Sequence, residues 1–473
     1  MNGVVKCANK TKHPLRVLQF GEGNFLRAFA ETMFNTANAA GVTDLGVAIV
    51  TPTPRGSTAR FREQENIYTV LERGMENGSA VSRSRIITCV EQVYHCRDDL
   101  DAWMALAAEP SLRFVVSNTT EAGIRQHVPD HMDGLPDTYP GKLTKFLYAR
   151  YRHFSAAADK GLIMLPVELI EKNGDTLHAC IAEYIKAWDL PDAFSCWVDE
   201  HCVFCNTLVD RIVTGFPQDG AEEIFASLGY RDALLDVCEP FSLWVIEDRQ
   251  GIRSELPLPA AGLPVVFTDD LTPYRERKVR VLNGAHTASV SAGLLCGLGI
   301  VRDCMHDPDL GVFIRRVVKE EIVPFVPLPT AKAESFAAAV FERFENPYID
   351  HALLSIALNS VSKWKTRVLP SFRDYYAANG SVPRLITFSF AALLALYRAD
   401  AYAVRDDAAV LHFFAAHRDD DDATFVTAAA AETAFWGEDL TRYDGFCETV
   451  LRDLRALRTD ARRAVQTALT ERG

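Results

Sequence analysis

The chain has no surplus of positive charge. Its 50 Lys and Arg stand against 63 Asp and Glu, for a formal net charge of −13. A surface of that sign repels phosphate backbones, so no nucleic acid is expected as a partner, although a local basic pocket for an acidic ligand stays open. Long apolar runs are also missing. The longest stretch, residues 385–397, contains Thr387 and Ser389. It falls short of the roughly 20 residues a membrane span needs, so a buried core helix is expected there. The opening residues, MNGVVKCANKTKH, hold no apolar signal region. A soluble, cytoplasmic protein without membrane contact is therefore expected. The 11 cysteines are odd in number and scattered, which argues against a disulfide framework. The one close pair, Cys202 and Cys205 after His201, has no second CxxC or HxxxH to complete a tetrahedral zinc set, so no metal is expected.

What is present is a large core. The 473 residues are 48% hydrophobic, more than one compact core accommodates, and two domains are expected. In the first half, short apolar runs alternate with helical patterns. LRVLQF at residues 15–20, GVAIV at 46–50, RFVVS at 113–117 and GLIMLP at 161–166 read as strands, and residues 25–40 as a helix. Fully apolar strands separated by helices predict a parallel sheet covered on both faces. From Lys278 onward the patterns are almost all helical, at residues 310–322, 331–344, 349–362, 384–397, 422–435 and 440–469, punctuated by prolines. The expectation is an α/β domain over 1–275 followed by an all-α domain over 276–473. No internal repeat is present, and the run DDDD at 419–422 reads as a solvated loop.

Gly21 and Gly23 directly follow the first strand and precede a helix, within VLQFGEGNFLRAF. The free N–H groups and dipole of a helix N-terminus hold a pyrophosphate, and the two glycines permit the tight turn and the close approach of backbone to phosphate. This points to a Rossmann-like dinucleotide site. The third glycine of GxGxxG is missing, with Leu26 in its place. No acid follows the second strand to hold the ribose hydroxyls. TPTPR stands there instead, so the choice between NAD and NADP stays open, and Arg55 would suit a 2′-phosphate. Asn118, Thr119 and Glu121, after the third apolar strand, are further candidates for cofactor contact at the carboxyl edge of the sheet.

Lys278, Asn283 and His286 recur at i, i+5 and i+8 in YRERKVRVLNGAHTA. On an ideal α-helix they point at roughly 0°, 140° and 80°, on one side. The stretch lies where sheet gives way to helices, and an interdomain cleft is the expected place for a small-molecule site. A desolvated lysine can act as base and, in reverse, as acid in alcohol oxidation by hydride transfer. An asparagine amide can donate to a developing alkoxide, and a histidine can orient the substrate.

The pattern Lys278–x4–Asn283–x2–His286 resembles the signature of the polyol-specific long-chain dehydrogenases, the mannitol dehydrogenase family. GEGNFLRA at 21–28 is similar to its glycine loop, which accounts for the missing third glycine, and Asp210, Arg211 and Ile212 resemble its VDRI motif. The segments YPGKLTKFL, PVELIEKNGD and RFENPYIDHALLSIALN extend the likeness in order from about residue 15 to about 370, most closely to members that reduce tagaturonate. The resemblance implies metal-independent, reversible hydride transfer between NADH and a sugar acid in hexuronate catabolism, with fructuronate or mannitol as rival substrates and a non-catalytic nucleotide sensor as a rival role. It implies Lys278 as acid/base, Asn283 and His286 at the reacting oxygen, Phe20, Gly21, Gly23, Asn24, Phe25, Leu26 and Arg27 at the cofactor, and Asp210 near the substrate. Mannitol-type members carry Asp-Asn where this chain has Glu168-Leu169, and Glu where it has Arg275. A carboxylate-bearing substrate fits those changes, with Arg275, Lys363 and Arg367 as candidates for its grip. Arg275 pairing with Glu276 is the plainer alternative.

Overall fold

The computed structural model describes residues 3–7, 10–119, 123–125, 130–399, 402 and 404–471. The chain divides into two compact units, Met1–Arg73 with Val81–Leu271 and Gly74–Ala80 with Thr272–Gly473. The passage at Leu271 comes a few residues before the boundary expected at 275/276. A contiguous reading did not foresee that residues 74–80 belong with the second unit.

The first unit is built on a six-stranded parallel sheet of order β5-β2-β1-β6-β7-β8, with β1 at Leu15–Phe20, β2 at Gly46–Val50, β5 at Val90–Tyr94, β6 at Phe114–Ser117, β7 at Ile163–Pro166 and β8 at Val203–Phe204. Neighbouring residues of each strand bury on opposite faces. Val17, Val47, Ile49 and Val116 join one core with Phe29 and Trp244, and Leu18, Phe20, Val50 and Val115 join another with Trp103 and Phe146. Burying each such side chain is worth about 1.5–3 kcal/mol, so both faces anchor the sheet. Phe20 lies opposite both Val50 and Ser117, and Ser117 opposite Pro166. The carboxyl ends of the central strands are therefore flush. The strand order reverses at β1 and β6, and ligands of open α/β sheets bind outside the carboxyl ends at such a switch point.

Two smaller sheets were not foreseen. One has the order β10-β11-β3-β4, from Val213–Gly215, Asp236–Cys238, Tyr68–Glu76 and Ser79–Ile87. The other has the order β13-β12-β9, from Val265–Thr268, Leu243–Glu247 and Thr207–Asp210. β4 is largely exposed and polar, and it owes its form to pairing with β3 rather than to an apolar run. Asn77 and Gly78, both at positive φ, turn the chain between them, as two-residue hairpin loops require.

The second unit is helical. The helix Arg384–Arg398 is buried at thirteen positions, from Arg384 to Leu396. Its first free N–H groups, on Leu385 and Ile386, donate to the buried Glu321 carboxylate at 2.8 and 2.7 Å. No helix among the described residues is long and apolar enough to cross a membrane. Two expectations are corrected. Residues 349–362 are not one helix. The short turn Leu353–Ile356 precedes a helix at Ser360–Arg367, interrupted by Asn359 at φ +54. The acidic run at 419–422 is only partly a solvated loop. Asp421 caps the helix Asp422–Ala431 through Ala423 and Thr424 N–H, and Asp422 sits among Arg398, Arg455 and Arg458.

Candidate active site

In the first unit the glycine loop lies at the switch point. Gly21 has φ +129, and a Cβ there would stand 3.1 Å from the Asn118 carbonyl oxygen and from the Leu26 side chain, so only glycine permits this turn. A Cβ on Gly23 would meet no protein atom. Gly23 caps a continuous helical run over residues 24–39, made of Asn24–Leu26, a π-helical Arg27–Glu31 and Thr32–Ala39. A sharp turn, an open second glycine and a helix N-terminus fit a dinucleotide pyrophosphate.

The loop is braced from below. The Gln19 amide donates to the Gly21 carbonyl at 2.8 Å and to Glu31 at 2.6 Å, and the Tyr68 hydroxyl donates to Glu31. Burial raises the Glu31 carboxyl above its ordinary range. Of the residues carried over from the resemblance, several face inward. Phe20 packs edge-on against Trp103 and tilted against Tyr139. Leu26 is buried, and Phe25 stacks on Phe29. Arg27 donates to the Leu234 carbonyl and to Asn24, with Asp236 at 3.7 Å. These four shape the loop. Gly21, Gly23 and Asn24 form its rim, with Asn24 and Gly23 exposed.

At the end of β6, Thr119 is held by Glu168, a residue that sequence reasoning noted only as a departure from the mannitol-type pattern. The Thr119 N–H and hydroxyl donate to one Glu168 oxygen at 3.0 and 2.9 Å, and the Ser117 hydroxyl donates to the other at 3.0 Å. Burial raises the Glu168 carboxyl, while these donors partly lower it. Glu121 lies outside the described residues. Asp210 ends β9 in this same unit, buried, and Arg211 beside it pairs with Glu72 and donates to the Glu239 and Ala28 carbonyls. Burial pushes the thiols of Cys202 and Cys205 up to about 12, so both stay protonated.

In the second unit, residues 278–283 depart from the α-helix assumed for them. Lys278–Asn283 is π-helical, with the Gly284 N–H reaching the Val279 carbonyl five residues back. Residues five apart lie closer in direction in such a turn, whereas an α-helix would splay Lys278 and Asn283 by roughly 140°. π segments are frequent at functional sites. The helix Gly284–Leu295 follows and carries His286. The His286 ring lies 4.1 Å from that of Phe344 and 5.0 Å from that of His351, centroid to centroid. Burial, then the charges of His351, Arg343, Arg367 and Lys363, push His286 well below the ordinary imidazole range. Burial and the Lys363 charge lower His351 as well. Lys363 and Arg367, on the helix Ser360–Arg367, are likewise lowered by burial.

His351 had not been singled out. It reaches His286 because its carbonyl accepts from Val301 and its neighbour Ala352 bridges Ile300, which hold the segment extended where a helix had been expected. Arg275 lies in the same unit. It lines a hollow of about 400 Å³ with Glu276, Val279, Arg280, Thr366, Pro370, Arg373 and Asp374. The second unit thus groups His286 with Lys363 and Arg367.

Comparison with known proteins agrees with this architecture. Residues 15–259 match the model of the mannitol dehydrogenase Rossmann domain, and residues 270–458 that of the mannitol dehydrogenase C-terminal domain. Altronate oxidoreductase of Klebsiella pneumoniae (strain 342) is 43% identical over 458 residues, covering 94% of this chain and 95% of that protein. The altronate oxidoreductase of Escherichia coli (strain K12) is also 43% identical, with the same coverage. Among solved structures, D-sorbitol dehydrogenase in substrate-free form superposes with a TM-score of 0.80 at 22% identity, covering 96% of this chain and 95% of its own. Pseudomonas fluorescens mannitol 2-dehydrogenase, in a ternary complex with NAD and D-mannitol, does so with 0.66 at 21%, covering 97% and 95%. At those identities the two structures speak for the fold alone.

Proposed function

The chain belongs to the mannitol dehydrogenase family, and from that premise we propose that it is an NAD-dependent oxidoreductase interconverting D-tagaturonate and D-altronate. The observation that carries the substrate class is the cationic surround of His286. Lys363 and Arg367 bear on a neutral imidazole, where an acid finds a counter-charge and an uncharged polyol finds none. The relatives named altronate oxidoreductase support the same sugar acid.

In the first unit, the N–H groups that open residues 24–39 would hold the pyrophosphate over Gly21 and Gly23, with Asn118 and Thr119 at the sheet edge. A nicotinamide bound there would supply or accept the hydride. In reduction, Lys278 gives a proton to the oxygen of the carbonyl whose carbon receives the hydride; in oxidation it takes that proton back. The Asn283 amide donates to the same oxygen as negative charge develops there. His286, neutral because of its burial and its cationic neighbours, can accept from one substrate hydroxyl or donate to another. Lys363 and Arg367 bind the carboxylate at the far end of the substrate. A lysine and an amide at the carbonyl oxygen perform the polarisation that other dehydrogenases assign to a metal ion.

The test is loss of NADH absorbance with purified protein and tagaturonate, beside fructuronate and fructose. Turnover confined to tagaturonate upholds the assignment. Turnover of fructuronate or fructose instead keeps the mechanism and replaces the substrate. Lys278→Ala should lower kcat by at least about a hundredfold, the usual reach of general acid–base catalysis, while NADH binding persists. Wild type that binds NADH and turns over no sugar would favour the sensor reading.

A further inference from the structure

The usual ribose-binding acid after β2 is missing, since TPTPR stands at 51–55. The structure carries an acid to that place from another part of the chain. Glu22, between the two loop glycines, folds its carboxylate over the end of β2. A Cβ on Gly56 would lie 2.5 Å from Glu22 Oε1 and 2.5 Å from Thr51 Cβ, so the carboxylate, Thr51 and the Gly56 backbone are packed together and a side chain at 56 would displace them. Thr51 follows β2 directly and is fixed there, its N–H donating to the Tyr94 carbonyl and its hydroxyl accepting from Cys96 N–H. Glu22 also accepts a hydrogen bond from the backbone of Ser57 and feels the charges of His95 and Arg27. With its own backbone N–H it has two built-in donors, and the exposed Gly23 follows it in the chain.

Resting on the reading of the first unit as a dinucleotide site, we propose that Glu22 is the cofactor-selecting residue. Its carboxylate accepts from the adenosine ribose hydroxyls of NAD and repels the 2′-phosphate of NADP. The geometry is that of the familiar site reached from the opposite side. In the common arrangement the acid extends from the end of the second strand towards the loop, whereas here it extends from the loop towards the end of the second strand. A carboxylate accepting from the diol is shared by both. Arg55, exposed on the same turn, is the rival determinant and would favour the 2′-phosphate.

The test is direct cofactor binding to the full chain, followed by quenching of protein fluorescence with NADH and with NADPH, for wild type, Glu22→Gln and Glu22→Ala. Wild type should prefer NADH. Both variants should lower the NADH-to-NADPH preference by roughly ten- to hundredfold, the range expected for losing a charged hydrogen-bond acceptor. Circular dichroism melts establish that each variant is folded. Should either variant fail to fold, Glu22→Asp, which withdraws the carboxylate by one methylene, is read in the same way. Preference unchanged in folded variants, or a wild type that prefers NADPH, overturns the role of Glu22 and leaves the dinucleotide site standing. Wild type that binds neither cofactor overturns the dinucleotide reading, and Glu22 with it.

Discussion

Asn118 and Gly21 are locked against each other: the Asn118 carbonyl oxygen lies 3.1 Å from where a Cβ on Gly21 would stand, and the Asn118 N–H donates to the Phe20 carbonyl at 3.1 Å. The ends of β1 and β6 are thereby fixed to one another. Gly21→Ala must either flip a φ of +129 or push the β6 loop away, a strain of about 1–3 kcal/mol. NADH affinity should fall at least about tenfold, with the fold retained. The measurement is fluorescence titration beside a thermal melt. Affinity within about twofold of wild type would remove the glycine loop from the cofactor site.

The carboxylate grip assigned to Lys363 and Arg367 predicts a split between substrates. Lys363→Met should raise KM for tagaturonate by roughly ten- to hundredfold, the cost of one charge-assisted hydrogen bond. Any slow reduction of an uncharged ketose should be little altered. If instead Arg275→Ala raises the tagaturonate KM and Lys363→Met does not, the grip belongs to the neighbouring hollow that Arg275 lines.

Asp236 makes stability depend on pH. Neither of its carboxylate oxygens has a hydrogen-bond partner among the described residues, Arg27 stands 3.7 Å away, and burial pushes the group up to about 7. Unfolded, it titrates near 3.9. Between those values the folded chain keeps a proton that the unfolded chain releases, so this contribution to stability is lost as pH rises from about 4 to about 7. Asp236→Asn should therefore stabilise the protein by a margin that widens from pH 5 to pH 8, reaching about 2–4 kcal/mol. Melts across that range check it. A margin that stays flat or narrows would contradict the pH dependence argued for Asp236.

Arg384 and Asp453 form a buried, two-pronged pair that ties the helix Arg384–Arg398 to the helix Phe446–Thr459, with Glu471 and Arg452 at its edge. Removing one partner leaves a buried charge, at about 3–5 kcal/mol. Asp453→Ala should fall at the low end, because Glu471 lies 3.0 Å from the same guanidinium. A drop of roughly 6–12 °C in the melting of the second unit is expected. A drop under about 2 °C would show that the pair is dispensable.

Much of this protein was determined by sequence alone, wherever a local pattern and its tertiary use agree. LRVLQF and GVAIV are strands because their side chains are apolar on both faces, and both faces are covered. The glycine loop could be read because a tight turn before a helix needs glycine whatever surrounds it. The stretch from Lys278 to His286 could be read as helical from its pattern. Asn77–Gly78 is a hairpin signal legible in the sequence, although β4 lacks the apolar run of a buried strand.

Tertiary structure decided the rest, because it rests on contacts between residues far apart in the chain. The polar, exposed β4 exists through pairing with β3 rather than intrinsic preference. The π turn over Lys278–Asn283 is a hydrogen-bond choice within a segment whose residues suit an α-helix equally. His351 meets His286 because Val301 holds its backbone extended, and Glu168 reaches Thr119 because β6 and β7 end flush. Glu22 stands in the motif itself, yet its place over Gly56 follows from the alignment of β1 with β2, and no spacing along the chain encodes a side chain that folds across to the neighbouring strand.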